Sequence, residues 1–203
     1  MGTKFTNTKN TKYKMIASDL EAKQAIKDLL LYIGENPERE GLKETPDRIV
    51  RMWKEMFRGY TADKPKITTF TNDFHSTDMI FDCGDYYSMC EHHILPFFGR
   101  YYFAYIPDAN GKIIGLSKIA RVVAYCSARL QLQEKLAREI VEMLAVAIGK
   151  AEGFALVLKG RHLCKEMRGV KSKGTMSVSY LTGVYKENIE AREEFYKLIE
   201  LNK

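Results

Sequence analysis

Segments rich in β-branched and aromatic residues come in two blocks with a long helical stretch between them, and few folds satisfy that order. "KITTF", "DMIFDCGDYYSM", "FGRYYFAYIP" and "KIIGL" form the first block, beginning at residue 66. "GFALVLKGRHLC" and "GTMSVSYLTGVY" form the second, near the C-terminus. Turn residues at hairpin-like spacing separate them. Residues 118–149 carry helical periodicity with a break near Ser127–Leu132, and a last amphipathic helix runs over about 187–201. Strand pairs divided by helices predict an antiparallel sheet with helices on one face, an α+β fold.

The N-terminal part has a different texture. Residues 1–17 are polar and basic and read as a flexible tail. Ser18 with Glu21 forms a capping box, after which Ile26, Leu29, Leu30 and Ile33 line one helical face as far as Gly34 and Pro37. A second helix opens with Thr45 as cap and Pro46 in its first turn; Ile49, Trp53, Met56 and Phe57 give its stripe, and Gly59 stops it. The expected organisation is a tail (1–17), an N-terminal helical appendage (18–65) and one main domain (66–203).

Several classes of protein are excluded early. No apolar stretch approaches the ~20 residues that span a bilayer, since "IVEMLAVAI" is short and carries Glu142. The N-terminus has no apolar core of a secretory signal, so a cytoplasmic location is the expectation. Four cysteines are too few for a disulfide scaffold in a chain of this length, and read as thiols or metal ligands. A net charge of +6 suits nucleic acid or a small, highly anionic substrate.

"SMCEHHILPF", residues 88–97, concentrates the chemistry. Cys90 and His93, three apart, diverge on a strand but converge on a tight turn, and Pro96 limits any helix there. A thiolate with an imidazole suits Zn²⁺, although a buried thiol beside a capped histidine also accounts for the pair. In "GRHLCKEMRGV" His162 and Cys164 are two apart at the end of an expected strand, on one face. Cys90, His93 and Cys164 would give three ligands and one open position, with His92 and His162 as proton-transfer groups. A closed four-ligand structural site is equally compatible with the spacing.

Cations gather nearby in sequence. "GLSKIAR" makes Ser117 a helix cap with Lys118 and Arg121 in the first turn, where they oppose the helix dipole unless an anion binds. Arg168 belongs to a second basic run, residues 159–173. Taken singly, each cation is explained as a solvated surface residue. No Walker-type glycine loop is present, which excludes a P-loop NTPase. Glu134 in "QLQEKLAREI" could accept two N–H groups of a guanine, or simply pair with Arg138. A zinc-stabilised nucleic-acid module is a rival, but its aromatics should interleave with surface cations, and "YYFAYIP" reads as sheet.

"SMCEHHILPFFG", "AYIP", "IIGLSKIARVV", "RLQLQEKLAREI" and "RHLCKEMRGV", in this order, resemble the GTP cyclohydrolase I family, and the likeness extends over about residues 20–201. The resemblance implies the tunnelling fold, an antiparallel four-stranded sheet from each chain joined around a ring with helices packed outside. It also implies a homodecamer of two stacked pentamers with active sites between subunits. It places zinc on Cys90, His93 and Cys164, which favours the open site, and puts His92 and His162 in the chemistry. Lys118, Arg121 and Arg168 match the triphosphate grip, with Ser117 near the ribose and triphosphate. Gln133 and Glu134 match the guanine-holding pair; Arg51 and Arg48 match further phosphate contacts more loosely. The implied reaction takes GTP and water to formate and 7,8-dihydroneopterin triphosphate, the first step of tetrahydrofolate and pterin biosynthesis. Other pterin or deazapurine enzymes of the same fold are the rival. Leu132, Lys135 and Ala137 stand where the family more usually has valine, arginine and threonine, and none of these changes removes a reactive group. Cys83 and Cys126 have no family role and are expected to be buried thiols.

Overall fold

The computed structural model describes residues 18–203, so the expected tail lies outside them. The chain divides into two compact units, one ending at Glu55 and one beginning at Met56. Among the described residues no helix is long and apolar enough to cross a membrane.

In the first unit α1 spans Asp19–Tyr32 and opens on the expected capping box. Ser18 N–H donates to Glu21 Oε2 at 2.6 Å and Glu21 N–H to Ser18 Oγ at 3.3 Å, satisfying two donors the helix leaves free. Gly34, at φ 87°, ends it in a left-handed conformation that costs glycine nothing. α2 spans Thr45–Met56. It starts earlier than the sequence suggests: Glu44 O accepts from Arg48 N–H at 3.0 Å, so Thr45 is helical rather than the cap. Ion pairs Lys23–Asp47 and Lys54–Asp19 join the two helices. Of the α1 stripe only Ile26 is buried, while Leu29 and Ile33 are exposed.

The second unit begins with a 3-10 turn, Arg58–Tyr60. Gly59 N–H donates to Ala128 O at 3.0 Å, and Tyr60 OH accepts from Leu130 N–H at 3.1 Å. A Cβ on Gly59 would meet Ala128 O at 2.7 Å, so only glycine permits this approach. The turn therefore belongs to the unit that follows, ahead of the change in texture at residue 66.

The strands are β1 (Thr69–Thr71), β2 (Ile80–Cys90), β3 (Pro96–Pro107), β4 (Lys112–Ile114), β5 (Leu130–Gln131), β6 (Ala151–His162) and β7 (Thr175–Leu181). The helices between and after them are α3 (Ser117–Ser127), α4 (Gln133–Ile148), α5 (Leu163–Glu166), α6 (Val184–Glu187) and α7 (Ile189–Leu201). β1 and β4 pair as a separate antiparallel ribbon, and the main sheet has the order β5-β2-β3-β6-β7. The expected antiparallel pairing joins β2, β3, β6 and β7, but the sheet is not the four-stranded one that the resemblance implied. A fifth is added by the break between α3 and α4, where Leu130 and Gln131 lie parallel to Met89 and Cys90. Two residues carry no period, so sequence pattern could not show this strand.

Alternation along the strands gives the sheet two apolar faces. Tyr101, Phe103, Tyr105, Leu156 and Leu158 pack with Ile119, Val122, Leu136, Ile140 and Leu144 of α3 and α4. Each such fully buried side chain stabilises the fold by roughly 1.5–3 kcal/mol. The opposite face, with Tyr102, Ala104 and Ala155, packs on Tyr185 and Phe195 of α6 and α7. Helices thus cover both faces, not one as the sequence suggested. The C-terminal helix is amphipathic, and its apolar stripe needed a surface that the expected arrangement did not provide.

Candidate metal centre

The end of β2 is tied down before any side chain is considered. The turn Glu91–Leu95 closes with Cys90 N–H donating to Leu95 O and Ile94 N–H to Cys90 O, both at 2.9 Å. Ile94 sits at φ 52°, a costly conformation for a β-branched residue that these two bonds maintain. Buried Ser88 Oγ donates to Ser127 O at 2.8 Å, and Glu91 N–H to Gln131 O at 3.2 Å. Cys90 is 3% exposed.

Across β3, β6 ends at His162, in register with Phe97. The two rings stack at 4.6 Å with planes 4° apart, which sets the imidazole plane. The chain then enters α5, and its first turn brings Cys164 Sγ to 3.8 Å from Cys90 Sγ. His162 Nδ1 lies 4.0 Å from Cys164 Sγ. The donor atoms of Cys90, His162 and Cys164 all fall within 4.8 Å of one another. His92 Nδ1 is 3.7 Å from Cys90 Sγ. His93 is exposed, and its Nε2 accepts from Arg168 Nη1 at 2.8 Å. The imidazole gathered with the two thiols is thus His162, although spacing pointed to His93.

The chemistry of this donor set fits a soft divalent cation. Burial raises the Cys164 thiol above its ordinary pKa; the hydrogen bond and charge of Cys90 add to that, and Arg168 opposes it. Two sulfurs so close ionise together only with a cation between them. Burial pushes His162 below its ordinary pKa, with the Glu134 charge opposing and those of His92 and Lys165 adding. A neutral imidazole beside two thiols is the state a metal requires.

Of the expected nucleotide contacts, Gln133 and Arg168 touch histidines at this centre, and the others lie on separate elements. Ser117 is the first residue of α3, and the cap position falls on Leu116, so the Ser117 hydroxyl is exposed rather than capping. Ser117 and Lys118 line a groove of about 620 Å³ with Thr68, Phe70, Gly115 and Leu116. Arg121 and Arg168 are exposed. Glu134 is exposed on the first turn of α4, while Arg138 pairs with Glu142. Arg51 lies on α2 in the first unit. Gln133 differs from the rest. It is 1% exposed, its Nε2 donates to Leu158 O at 2.9 Å and Met176 O at 3.1 Å, and its Oε1 meets His162 Nε2 at 2.8 Å.

Sequence reasoning missed the buried polar residues Ser88 and Gln131. Gln131 Nε2 donates to Cys126 O and to Glu139, which also pairs with Arg129. Their polarity in the middle of an apolar strand end was the available signal. Cys126 is buried as expected, its thiol pushed up to about 12 by desolvation, and so inert, whereas Cys83, also expected to be buried, is only partly so.

The model of the family "GTP cyclohydrolase I" matches residues 22–200. The chain belongs to the GTP cyclohydrolase I family. GTP cyclohydrolase 1 of Clostridium kluyveri is 43% identical over 186 residues, covering 88% of this chain and 96% of that protein. GTP cyclohydrolase 1 of Caldanaerobacter subterraneus subsp. tengcongensis is 45% identical over 179 residues, 87% of this chain and 94% of that one. Bifunctional protein FolKE of Lactococcus lactis is 46% identical over 175 residues, 84% of this chain but 50% of its own. Among solved structures, the apo archaeosine synthase QueF-Like has a TM-score of 0.37 at 14% identity, over 50% of this chain and 91% of that one, too slight a likeness to bear on fold or function.

Proposed function

We propose that this protein is a zinc-dependent GTP cyclohydrolase, converting GTP and water into formate and 7,8-dihydroneopterin triphosphate at the start of folate and pterin synthesis. One observation carries the reading: in a chain of this family, two thiols and an imidazole converge at the strand ends. Cys90, Cys164 and His93 would hold the metal, His93 by turning its Nε2 lone pair from Arg168 towards the sulfurs. When bound, zinc supplies Lewis acidity and brings the pKa of water down to roughly neutral.

The remaining roles belong to side chains. Glu134 accepts the N–H edge of the guanine and orients C8 towards the thiol pair. His162, neutral because it is buried, takes up a proton on its free ring nitrogen and passes it to the imidazole ring of the base as that ring opens. His92, beside Cys90, moves protons at the ribose and the departing formate. Lys118, Arg121 and Arg168, with the Ser117 hydroxyl, neutralise a triphosphate of about four negative charges, so that binding energy remote from C8 serves orientation. Arg51 is carried as a further phosphate contact by the family likeness alone.

A decamer of two pentamers in the tunnelling fold, located in the cytoplasm, belongs to the same reading. The open edge of β7 and the exposed apolar residues of α1, Tyr32 at 86% among them, are consistent with burial against further copies. Incubation of the purified protein with GTP tests the activity: formate and the pterin chromophore should appear, and a chelator should abolish both. Absence of formate from metal-replete protein would refute it.

A further inference from the structure

Gln133 was expected to read the base, yet its amide has no capacity left to do so. It is 1% exposed, and both of its N–H donors are committed to Leu158 O and Met176 O. Backbone carbonyls only accept, so the nitrogen of this amide must face them and its oxygen must face His162. The oxygen in turn can only accept, and it lies 2.8 Å from His162 Nε2. The proton of that contact therefore belongs to the imidazole. Phe97, stacked on the ring, fixes its plane and leaves rotation about the ring axis to the amide alone.

We infer that Gln133 is a positioning residue that fixes His162 as the Nε2–H tautomer, leaving Nδ1 as the ring atom that faces the thiol pair and the reacting base. Only the consequence for turnover rests on the cyclohydrolase reading; the tautomer itself does not. A hydrogen bond that sets which imidazole nitrogen is free decides whether the ring can act at all. Gln133 thereby joins β6, β7 and α4 at one point, because it opens α4 and its partners lie on β6 and β7.

The test is a solid-state ¹⁵N spectrum of protein labelled at its four histidines. The His162 signals are assigned by their loss in His162→Asn. At pH 8 the wild type should carry its His162 proton on Nε2; a proton on Nδ1 overturns the inference, whatever the variants do. In Gln133→Met the preference should vanish and kcat fall about 10–100-fold, with KM for GTP changed by no more than about twofold. Gln133→Glu, which in its protonated form still accepts from the ring and donates to one carbonyl, should restore the Nε2–H form and most of kcat. An unchanged tautomer in Gln133→Met overturns the assignment, and a raised KM with kcat intact does so by making Gln133 a base reader. Wild-type protein with an Nε2–H His162 but no formate from GTP would sink the proposed activity and leave this inference standing.

Discussion

The strand-end cluster and the cationic rim proposed for the triphosphate are built by opposite means. Around Cys90 the backbone closes a strained turn, Ser88 and Gln131 anchor the strand to the α3–α4 connection, and Gln133 with Phe97 grips His162. That rim would consist of long cations, Arg121 and Arg168 exposed and Lys118 half-buried at its groove. On the proposed reading, the difference follows from what each must handle. Reacting atoms lose rate with small displacements, so their holders are locked in the fold. A triphosphate carries its charge over many oxygens, and flexible cations can follow it at little cost.

The largest expected effect comes from breaking the locked side. Cys90→Ser or Cys164→Ser should lose bound zinc and drop turnover to background; full metal content by atomic absorption in either variant ends the ligand assignment. Comparing His93→Ala with His162→Ala sharpens the same point. Only the first should lose metal, and loss in the second alone would make His162, the imidazole already gathered with the thiols, the true third ligand.

His92→Ala should keep the metal and lower kcat by about 10²–10⁴-fold, the contribution of a positioned proton carrier. An unaltered rate removes His92 from the chemistry. On the adaptable side the effect should be smaller and of another kind. Lys118→Ala should raise KM for GTP about 10-fold, the size of one charge-assisted contact, with kcat and zinc content nearly unchanged and the effect shrinking in high salt. A fall in kcat instead would mean that the rim is as tightly built as the cluster.

Legibility in the sequence follows the same division. Strand texture, capping signals and helical stripes are local, and they placed all the long elements. The thiols and histidines were visible because such residue types are rarely grouped for packing alone. What could not be read arises from long-range pairing: β5 exists only because β2 passes beside it, and the second apolar face only because α7 returns to it. Gln133 shows the limit best, since a glutamine at the start of a helix looks like a surface residue until Leu158, Met176 and His162 close around it. The choice between His93 and His162 is of the same kind, being set by Arg168 far along the chain.

The smallest effect concerns the locked sheet away from the site. Asp82, near the start of the strand that ends in Cys90, accepts from Tyr101 OH at 2.8 Å. Burial raises its pKa above the ordinary 3.8, and the Tyr101 hydrogen bond opposes the shift without cancelling it. A carboxyl with a raised folded pKa binds its proton more tightly folded than unfolded. Its ionisation therefore costs stability, progressively as pH rises from 3.8 through the raised value, and the cost persists at neutral pH. Asp82→Asn keeps an acceptor for Tyr101 and removes the charge, so it should raise the unfolding free energy at pH 7 by no more than about 1 kcal/mol, given that half-exposed groups are screened. The gain should disappear near pH 3, where Asp82 is protonated in both states. Metal content and kcat should stay unchanged, because rigidity at the Cys90 end depends on Ser88, Gln131 and Gln133 and not on the carboxylate at the other end of the strand. A loss of zinc in Asp82→Asn would show that the whole sheet, rather than its end, holds the cluster in place.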